Sequence, residues 1–357
     1  MGDHFGIGRY IREVAPRVRQ RLPDVRWRWV GTSRADWMDD GCRAPTSFQP
    51  WTTPIYNWRE HVRAAPGESD PDLWWVPHYN LTPNQAVRQV VTVHDLLPLR
   101  FNAGARGRIR EWIVRRYLGR IRASVSAVLV NSRFTARELE ESGWVDRHRL
   151  HVTPLGCAAP AMSAAQTRSE APPFFVFLGS IKPHKNLRGL LAGWEQAGRR
   201  IPERLLIVGQ ERGFFTGEPE LAARCAHFGD RVRFTGFLPD AEVAALLSQA
   251  TALVQPSLHE GFGLPVLEAM AAGCPVLASD AAALPETGGD AALYFRIGDT
   301  ADLAEKLVRL STDAALRDDL RRRGLARAKV YTWDRTADLT AAVLREVLQG
   351  KPIQPAR

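Results

Sequence analysis

At 357 residues the chain is long for a single core, so two domains is the natural expectation. A hydrophobic share of 45% and a charged share of 24% are ordinary for globular proteins, and no apolar run approaches the roughly 20 residues that cross a bilayer. The 48 basic against 39 acidic residues give a net charge of +9, which favours a nucleotide or phospholipid surface; no nucleic-acid motif accompanies it, so nucleic acid is set aside.

Met1-Gly-Asp-His is polar and reads as no signal peptide. Cys42, Cys157, Cys225 and Cys274 are scattered, with no C-x-x-C pair for zinc or a redox disulfide. A reduced, cytoplasmic protein with small buried cysteines fits. Gly6-Ile-Gly8 reads as a glycine turn opening an amphipathic helix that ends near Leu22. A strand normally precedes such a turn in Rossmann-like domains, so upstream sequence carrying it is expected to be missing. The pair lacks the third glycine of G-x-G-x-x-G and is a weak dinucleotide signal.

Arg26 to Val30 alternates as a half-buried strand, and residues 31–71 read as long loops with short elements. Leu73-Trp-Trp-Val76 and Gln89-Val-Val-Thr-Val93 are further strands, the second ending at His94-Asp95. Ligands gather at such carboxyl ends in α/β sheets, although a histidine there is equally at home as a satisfied structural residue. Between Arg100 and Arg122 lie eight arginines and one acid, Glu111, around a helical stripe of Ile109, Trp112, Ile113, Tyr117 and Ile121. That stripe is either core-facing with a solvated basic back, or part of a helix resting on an anionic membrane surface. Strand Ala127 to Val130 then leads to Asn131 or Ser132 as a helix N-cap.

The fully apolar Phe174-Phe-Val-Phe-Leu178 reads as a central parallel strand. It feeds Gly179-Ser-Ile-Lys-Pro-His-Lys-Asn186, which holds two of the chain's five lysines, Lys182 and Lys185, with Lys185 at a helix start. A cation there opposes the helix dipole unless an anion binds beside it. Leu205 to Gly209 and Val232 to Gly236 are strands ending in glycine turns, and Asp240 reads as the next helix cap. An apolar run from Ala252 then leads into Pro256-Ser-Leu-His-Glu-Gly-Phe-Gly-Leu-Pro-Val-Leu-Glu268, with Pro265 in the first-residue position of a helix. Glycine amides at a helix N-terminus suit a phosphate, and Glu260 and Glu268 suit hydroxyl groups. Phosphate plus polyol is the chemistry of a nucleotide sugar. On spacing alone, the two glutamates are equally compatible with solvated acids around an ordinary turn.

The string HEGFGLPVLEAMAAGCPVLAS, with VVTVHDLLPL, VPHYN, GSIKPHKNL, FTGFLPDAEV and YTWDRTADLTAAVLREVL, resembles the retaining glycosyltransferases of family four over nearly the whole chain. The resemblance implies the B-type glycosyltransferase fold: two α/β, Rossmann-like domains facing a cleft. Residues 1–160 would be the acceptor-side domain, 161–173 a linker, 174–330 the nucleotide-sugar-binding domain, and 331–357 a helix crossing back to the first domain.

It further implies that Lys185, with Lys182, neutralises the leaving diphosphate. Many members carry Arg after the glycine where this chain has Ser180. Gly261, Phe262 and Gly263 would add amides, Gly6 and Gly8 would cap the phosphate, and Gly236 and Phe237 would lie beside the base. Glu268 would hold the ribose, while Glu260 and His94 would hold the transferred sugar, with His78 and Asp95 on the acceptor side. No metal or cofactor is expected. The expected reaction moves a hexose, with mannose favoured, from a nucleotide diphosphate sugar to a saccharide or polyprenyl-diphosphate-linked acceptor in bacterial cell-surface glycan synthesis. The enzyme would be cytoplasmic or peripheral at the inner face of the plasma membrane. A non-catalytic sugar-nucleotide-binding protein is the alternative; a Rossmann oxidoreductase lacks its dinucleotide fingerprint.

Overall fold

The computed structural model describes residues 6–31, 46–50, 71–79, 87–101, 104–157, 173–209 and 219–350. The chain divides into two compact units, residues 1–156 with 333–357, and residues 157–332. The expected linker 161–173 lies, apart from Pro173, outside the described residues, as does Cys42.

The first unit opens with helix α1 (Gly6–Arg21), which buries Tyr10, Val14, Ala15 and Val18 at helical spacing. Gly6 and Gly8 therefore sit inside its first turn and do not form a turn ahead of it. Strands β1 (Trp27–Gly31) and β2 (Thr46–Pro50) pair in parallel. Strands β3 (Leu73–Val76) and β4 (Arg88–Val93) begin a second sheet, and the short helix α2 (Leu97–Arg100) follows. Helix α3 (Gly104–Ser124), β5 (Ala127–Val130), helix α4 (Arg133–Glu141) and β6 (Leu150–Val152) complete that run. The sheet order is β3-β4-β5-β6, all parallel, with Val93 opposite Val130 and Val130 opposite Val152. β5 is buried along its whole length, as a strand covered on both faces must be. Ser132 caps α4, its side chain accepting from Thr135 N at 3.0 Å, which leaves Asn131 at the strand end.

α3 buries Ile113, Val114, Tyr117, Leu118 and Ile121. Ile109 and Trp112, expected on the same stripe, are instead 60% and 61% exposed. At roughly 100° per residue, Trp112 falls on the side of the helix away from Val114 and Leu118.

The second unit starts with β7 (Phe174–Leu178), helix α5 (Leu187–Ala197), β8 (Arg204–Val208), helix α6 (Pro219–His227) and β9 (Val232–Gly236). Helix α7 (Asp240–Gln249), β10 (Ala252–Gln255), helix α8 (Leu264–Ala271) and β11 (Val276–Ser279) come next. Helix α9 (Leu284–Gly288), β12 (Leu293–Phe295), helix α10 (Thr300–Thr312) and helix α11 (Ala314–Ala328) close the unit. Asp240 is the first residue of α7, not its cap; Pro239 holds the cap position with no side-chain bond.

All strand pairs of this unit's sheet are parallel, in the order β12-β11-β10-β7-β8-β9. Phe175, Phe177, Leu187, Leu190, Leu191 and Trp194 form the centre of its core, with Leu303 and Leu307 from α10. Burying each such side chain contributes roughly 1.5–3 kcal/mol.

Helix α12 (Trp333–Leu348) belongs to the first unit. Its inner face carries Trp333, Ala337, Ala341, Leu344 and Val347, all buried. Arg21 on α1 bonds Asp334 Oδ1 at 2.9 Å, and Arg88 donates to the Val347 carbonyl near the end of α12 at 2.8 Å. Among the described residues, no helix is long and apolar enough to cross a membrane.

Candidate active site

The strand order of the second unit fixes where a ligand belongs. From the central strand β7 the chain runs outward through β8 and β9, then crosses back to β10 on the other side of β7. A topological switch point therefore lies between β7 and β10, and α/β sheets bind ligands at the carboxyl ends of the strands there. The loops leaving those two ends are Gly179–Asn186 and Pro256–Gly263, which hold the sequence's strongest motifs.

Two hydrogen bonds stitch the loops together. Leu258 N donates to His184 O at 2.7 Å, and Asn186 Nδ2 donates to Pro256 O at 3.1 Å. Asn186 is in the left-handed conformation, φ 54°, and its Oδ1 also accepts from Gly189 N to cap α5. Lys185 thus ends a short 3-10 turn, Pro183–Lys185, ahead of the helix that begins at Leu187.

From that position Lys185 Nζ reaches Glu260 Oε1 at 2.6 Å. The same oxygen accepts from Ser257 Oγ at 2.7 Å and Gln255 Nε2 at 3.0 Å. Burial pushes the Glu260 carboxyl up, but the Lys185 charge and the hydrogen bonds from Lys185 and Ser257 hold it below the usual carboxylate range. Glu260 is thus an anion in a nearly closed setting. His184, beside it, is pushed down to about 4 by burial and by Lys185, so it is neutral at pH 7.

The other expected donor residues of this unit have the following places. Lys182 is exposed at the start of the 3-10 turn. Gly261, Phe262 and Gly263 are buried; the Phe262 carbonyl accepts from Thr287 Oγ1, and its ring meets Tyr331 edge-on at 5.8 Å. Gly263 holds φ 97° in the cap position of α8, where a Cβ would meet Leu284 Cδ2 at 2.7 Å. Leu264 is the first helical residue, so Pro265 is the second. Glu268 is half-buried one turn into α8. Gly236, φ 77°, and the 49% exposed Phe237 lie at the carboxyl end of β9, an outer strand.

In the first unit, His94 follows β4 and is 8% exposed. Its Nε2 lies 3.0 Å from Pro77 O, and Tyr10 packs edge-on against its ring at 4.9 Å. Burial pushes His94 down to about 4, so at neutral pH Nε2–H donates to Pro77 and Nδ1 keeps its lone pair. His94 is therefore fitted to accept from a hydroxyl and not to supply a proton. Tyr10 bonds Thr92 at 3.3 Å and is pushed up to about 12 by burial, which keeps it a neutral wall. Asp95 Oδ1 accepts from Leu97 N at 3.0 Å, an Asx-type turn that starts α2. His78 is buried with its ring 3.8 Å from that of Tyr79. Gly6 and Gly8 open α1, in the same unit as His94.

Gln255, Ser257, Asn186 and Tyr10 carry no role legible from the sequence motifs. The one signal for Gln255 is its place as the single polar residue in the strand Ala252-Leu-Val-Gln255. Among the described residues, no group of three His, Cys, Asp or Glu side chains is placed to hold a metal ion.

Known proteins are similar to most of this chain. Residues 6–158 match the family described as Glycosyltransferase Family 4, and residues 172–313 match glycosyl transferases group 1. The D-inositol 3-phosphate glycosyltransferase of Nocardia farcinica is 33% identical over 350 residues, covering 90% of this chain and 76% of that protein. The O-antigen chain mannosyltransferase B of Escherichia coli is 28% identical over 279 residues, covering 72% of this chain and 70% of the relative. Three longer mannosyltransferase relatives are spanned over only 21 to 22% of their length. The crystal structure of Anabaena Alr3699/HepE in complex with UDP-glucose matches with a TM-score of 0.72 at 17% identity, covering 97% of each chain. The fold is that of the B-type glycosyltransferases, and the chain belongs to glycosyltransferase family four.

Proposed function

We propose that this chain is a retaining hexosyltransferase that moves mannose from a nucleotide diphosphate sugar to a saccharide or lipid-linked acceptor in cell-surface glycan synthesis. The observation that carries the reading is the Lys185–Glu260 pair, 2.6 Å apart at the switch point of the second unit. It puts a cation for a diphosphate and a carboxylate for sugar hydroxyls side by side. Relatives named as mannosyltransferases, one of them for the O-antigen chain, support mannose as the sugar.

In this reading Lys185, with Lys182 nearby in sequence, stabilises charge on the leaving diphosphate, a contribution that needs no metal. Glu268 holds the ribose, Gly261 to Gly263 and the α1 start at Gly6 and Gly8 serve phosphate, and Gly236 and Phe237 serve the base. Glu260 accepts from the transferred sugar, as does His94 through Nδ1; Asp95 and His78 serve the acceptor. The bond between the anomeric carbon and the diphosphate oxygen breaks. The acceptor hydroxyl oxygen bonds to the same face of that carbon, and its proton passes to the departing phosphate oxygen.

Titration calorimetry across GDP-, UDP-, ADP- and dTDP-sugars tests the reading. GDP-mannose should bind tightest and turn over with a glycan acceptor, and Glu268→Ala should abolish its binding. Tighter binding of a UDP-hexose would overturn the mannose assignment; binding without turnover on any acceptor would favour a sugar-nucleotide-binding protein.

We also propose an anionic membrane surface as a partner, at the inner face of the plasma membrane. Its support is the outer side of α3, where the exposed Ile109 and Trp112 stand among Arg108, Arg115 and Arg116.

A further inference from the structure

Glu260 is unusual in how its two carboxylate oxygens are used. Three donors converge on Oε1: Lys185 Nζ at 2.6 Å, Ser257 Oγ at 2.7 Å and Gln255 Nε2 at 3.0 Å. A carboxylate oxygen offers about two lone-pair directions, so three donors leave that atom no room for a ligand. Gln255 and Ser257 are both fully buried. They are also tied to each other, Gln255 Nε2 donating to Ser257 Oγ at 2.9 Å. The Ser257 hydroxyl thus accepts from one neighbour and spends its single proton on Glu260.

The relay starts at a strand end and is pinned by the neighbouring strand. Gln255 is the last residue of β10, a strand between β7 and β11 in the sheet. Ser279, the last residue of β11, donates to the backbone carbonyl of Ser257 at 2.6 Å and pins the chain there. Groups held by rigid elements keep a neighbour's geometry better than groups on loops.

We propose that Gln255 and Ser257 are positioning residues that clamp Oε1 of Glu260 and so present its second oxygen, Oε2, to a hydroxyl of the transferred sugar. The inference rests on the proposal that these loops form the donor site. It also explains how one lysine serves two anions. When Lys185 turns toward a diphosphate, the two neutral donors still hold the carboxylate in place. A clamp made of Lys185 alone would release Glu260 at the moment the donor arrives.

The test separates the sugar from the nucleotide. Calorimetry compares the tightest-binding nucleotide sugar with its free nucleoside diphosphate in the unmodified chain, Gln255→Met, Ser257→Ala and Ser257→Thr. Losing one clamp bond should weaken the nucleotide sugar about tenfold in Gln255→Met and Ser257→Ala. Binding of the nucleoside diphosphate should change less than about twofold, and Ser257→Thr, which keeps the hydroxyl, should restore the sugar-dependent part. Thermal unfolding of each variant shows that it is folded when measured. Equal losses for both ligands, or a full loss in Ser257→Thr, would mean that the residues only support the fold and would overturn the proposal. No loss in either variant would overturn it too. If the unmodified chain binds no nucleotide sugar, the donor-site assignment itself fails and takes this inference with it.

Discussion

A lysine and a glutamate buried side by side are held less by their mutual attraction than by the penalty of removing either one. The Lys185 and Glu260 side chains are only 13% and 11% exposed. Breaking such a pair leaves an uncompensated charge away from water and costs about 3–5 kcal/mol, whereas replacing both partners is often close to neutral. Lys185→Met should therefore destabilise the protein in urea unfolding far more than Lys185→Met with Glu260→Leu. Additive losses in this double-mutant cycle would show that the pair is not coupled. The residue types at this site are legible in the sequence, because the glycine-rich and lysine-bearing loops are local strings. The contact itself joins positions 185 and 260, and no periodicity reports on a pairing between two strand ends. Gln255 is hidden for a related reason: a single polar residue at the end of an apolar strand looks like the edge of a loop.

Helix α3 shows what hydrophobic periodicity captures and what it does not. Ile113, Tyr117 and Ile121 are legible as an inner stripe, and they are buried. Ile109 and Trp112 share that spacing, yet Val114 and Leu118 pull the buried face round and leave them outside. The result is an exposed indole with Arg108 and Arg116 four residues to either side, both exposed. Lysine and arginine near an anionic bilayer contribute about 1 kcal/mol each, and an indole suits the interface. Co-sedimentation with phosphatidylglycerol vesicles should exceed that with phosphatidylcholine vesicles and fall in Trp112→Ala and in Arg108→Ala with Arg116→Ala. Indifference to lipid charge would rule the membrane out as a partner. Strands such as Phe174 to Leu178 are readable from sequence because they are uniformly apolar and end in glycine. Asp240 and Pro265 each differ from the expected helical position by one residue, where cap geometry and not composition decides.

Across the whole molecule, several buried histidines make folding sensitive to acid. His94, His151 and His184 are all pushed down to about 4, chiefly by burial, from an ordinary value of 6.5. In the unfolded chain they take up protons as the pH falls through 6.5, while in the folded chain they stay neutral until about 4. Their stabilisation is complete above that window and is lost on descending through it, at about 1.4 kcal/mol per pH unit for each. Glu260, held below the carboxylate range, adds its loss at lower pH in the same direction. Urea unfolding measured across the window should show a steep slope that becomes shallower in His151→Gln; an unchanged slope would mean that the histidine is not titrating as described.

The return of α12 to the first unit has a consequence for the order in which the protein is made. Residues 157–332 are one uninterrupted stretch, whereas the first unit is assembled from both ends of the chain. During synthesis the second unit has its whole sequence before the first does. Until Trp333–Leu348 emerges, Asp334 is not there for Arg21, and helix α1, which carries Tyr10, lacks the helix it packs against. The wall behind His94 is therefore finished last, well after the loops that hold Lys185 and Glu260 have been made.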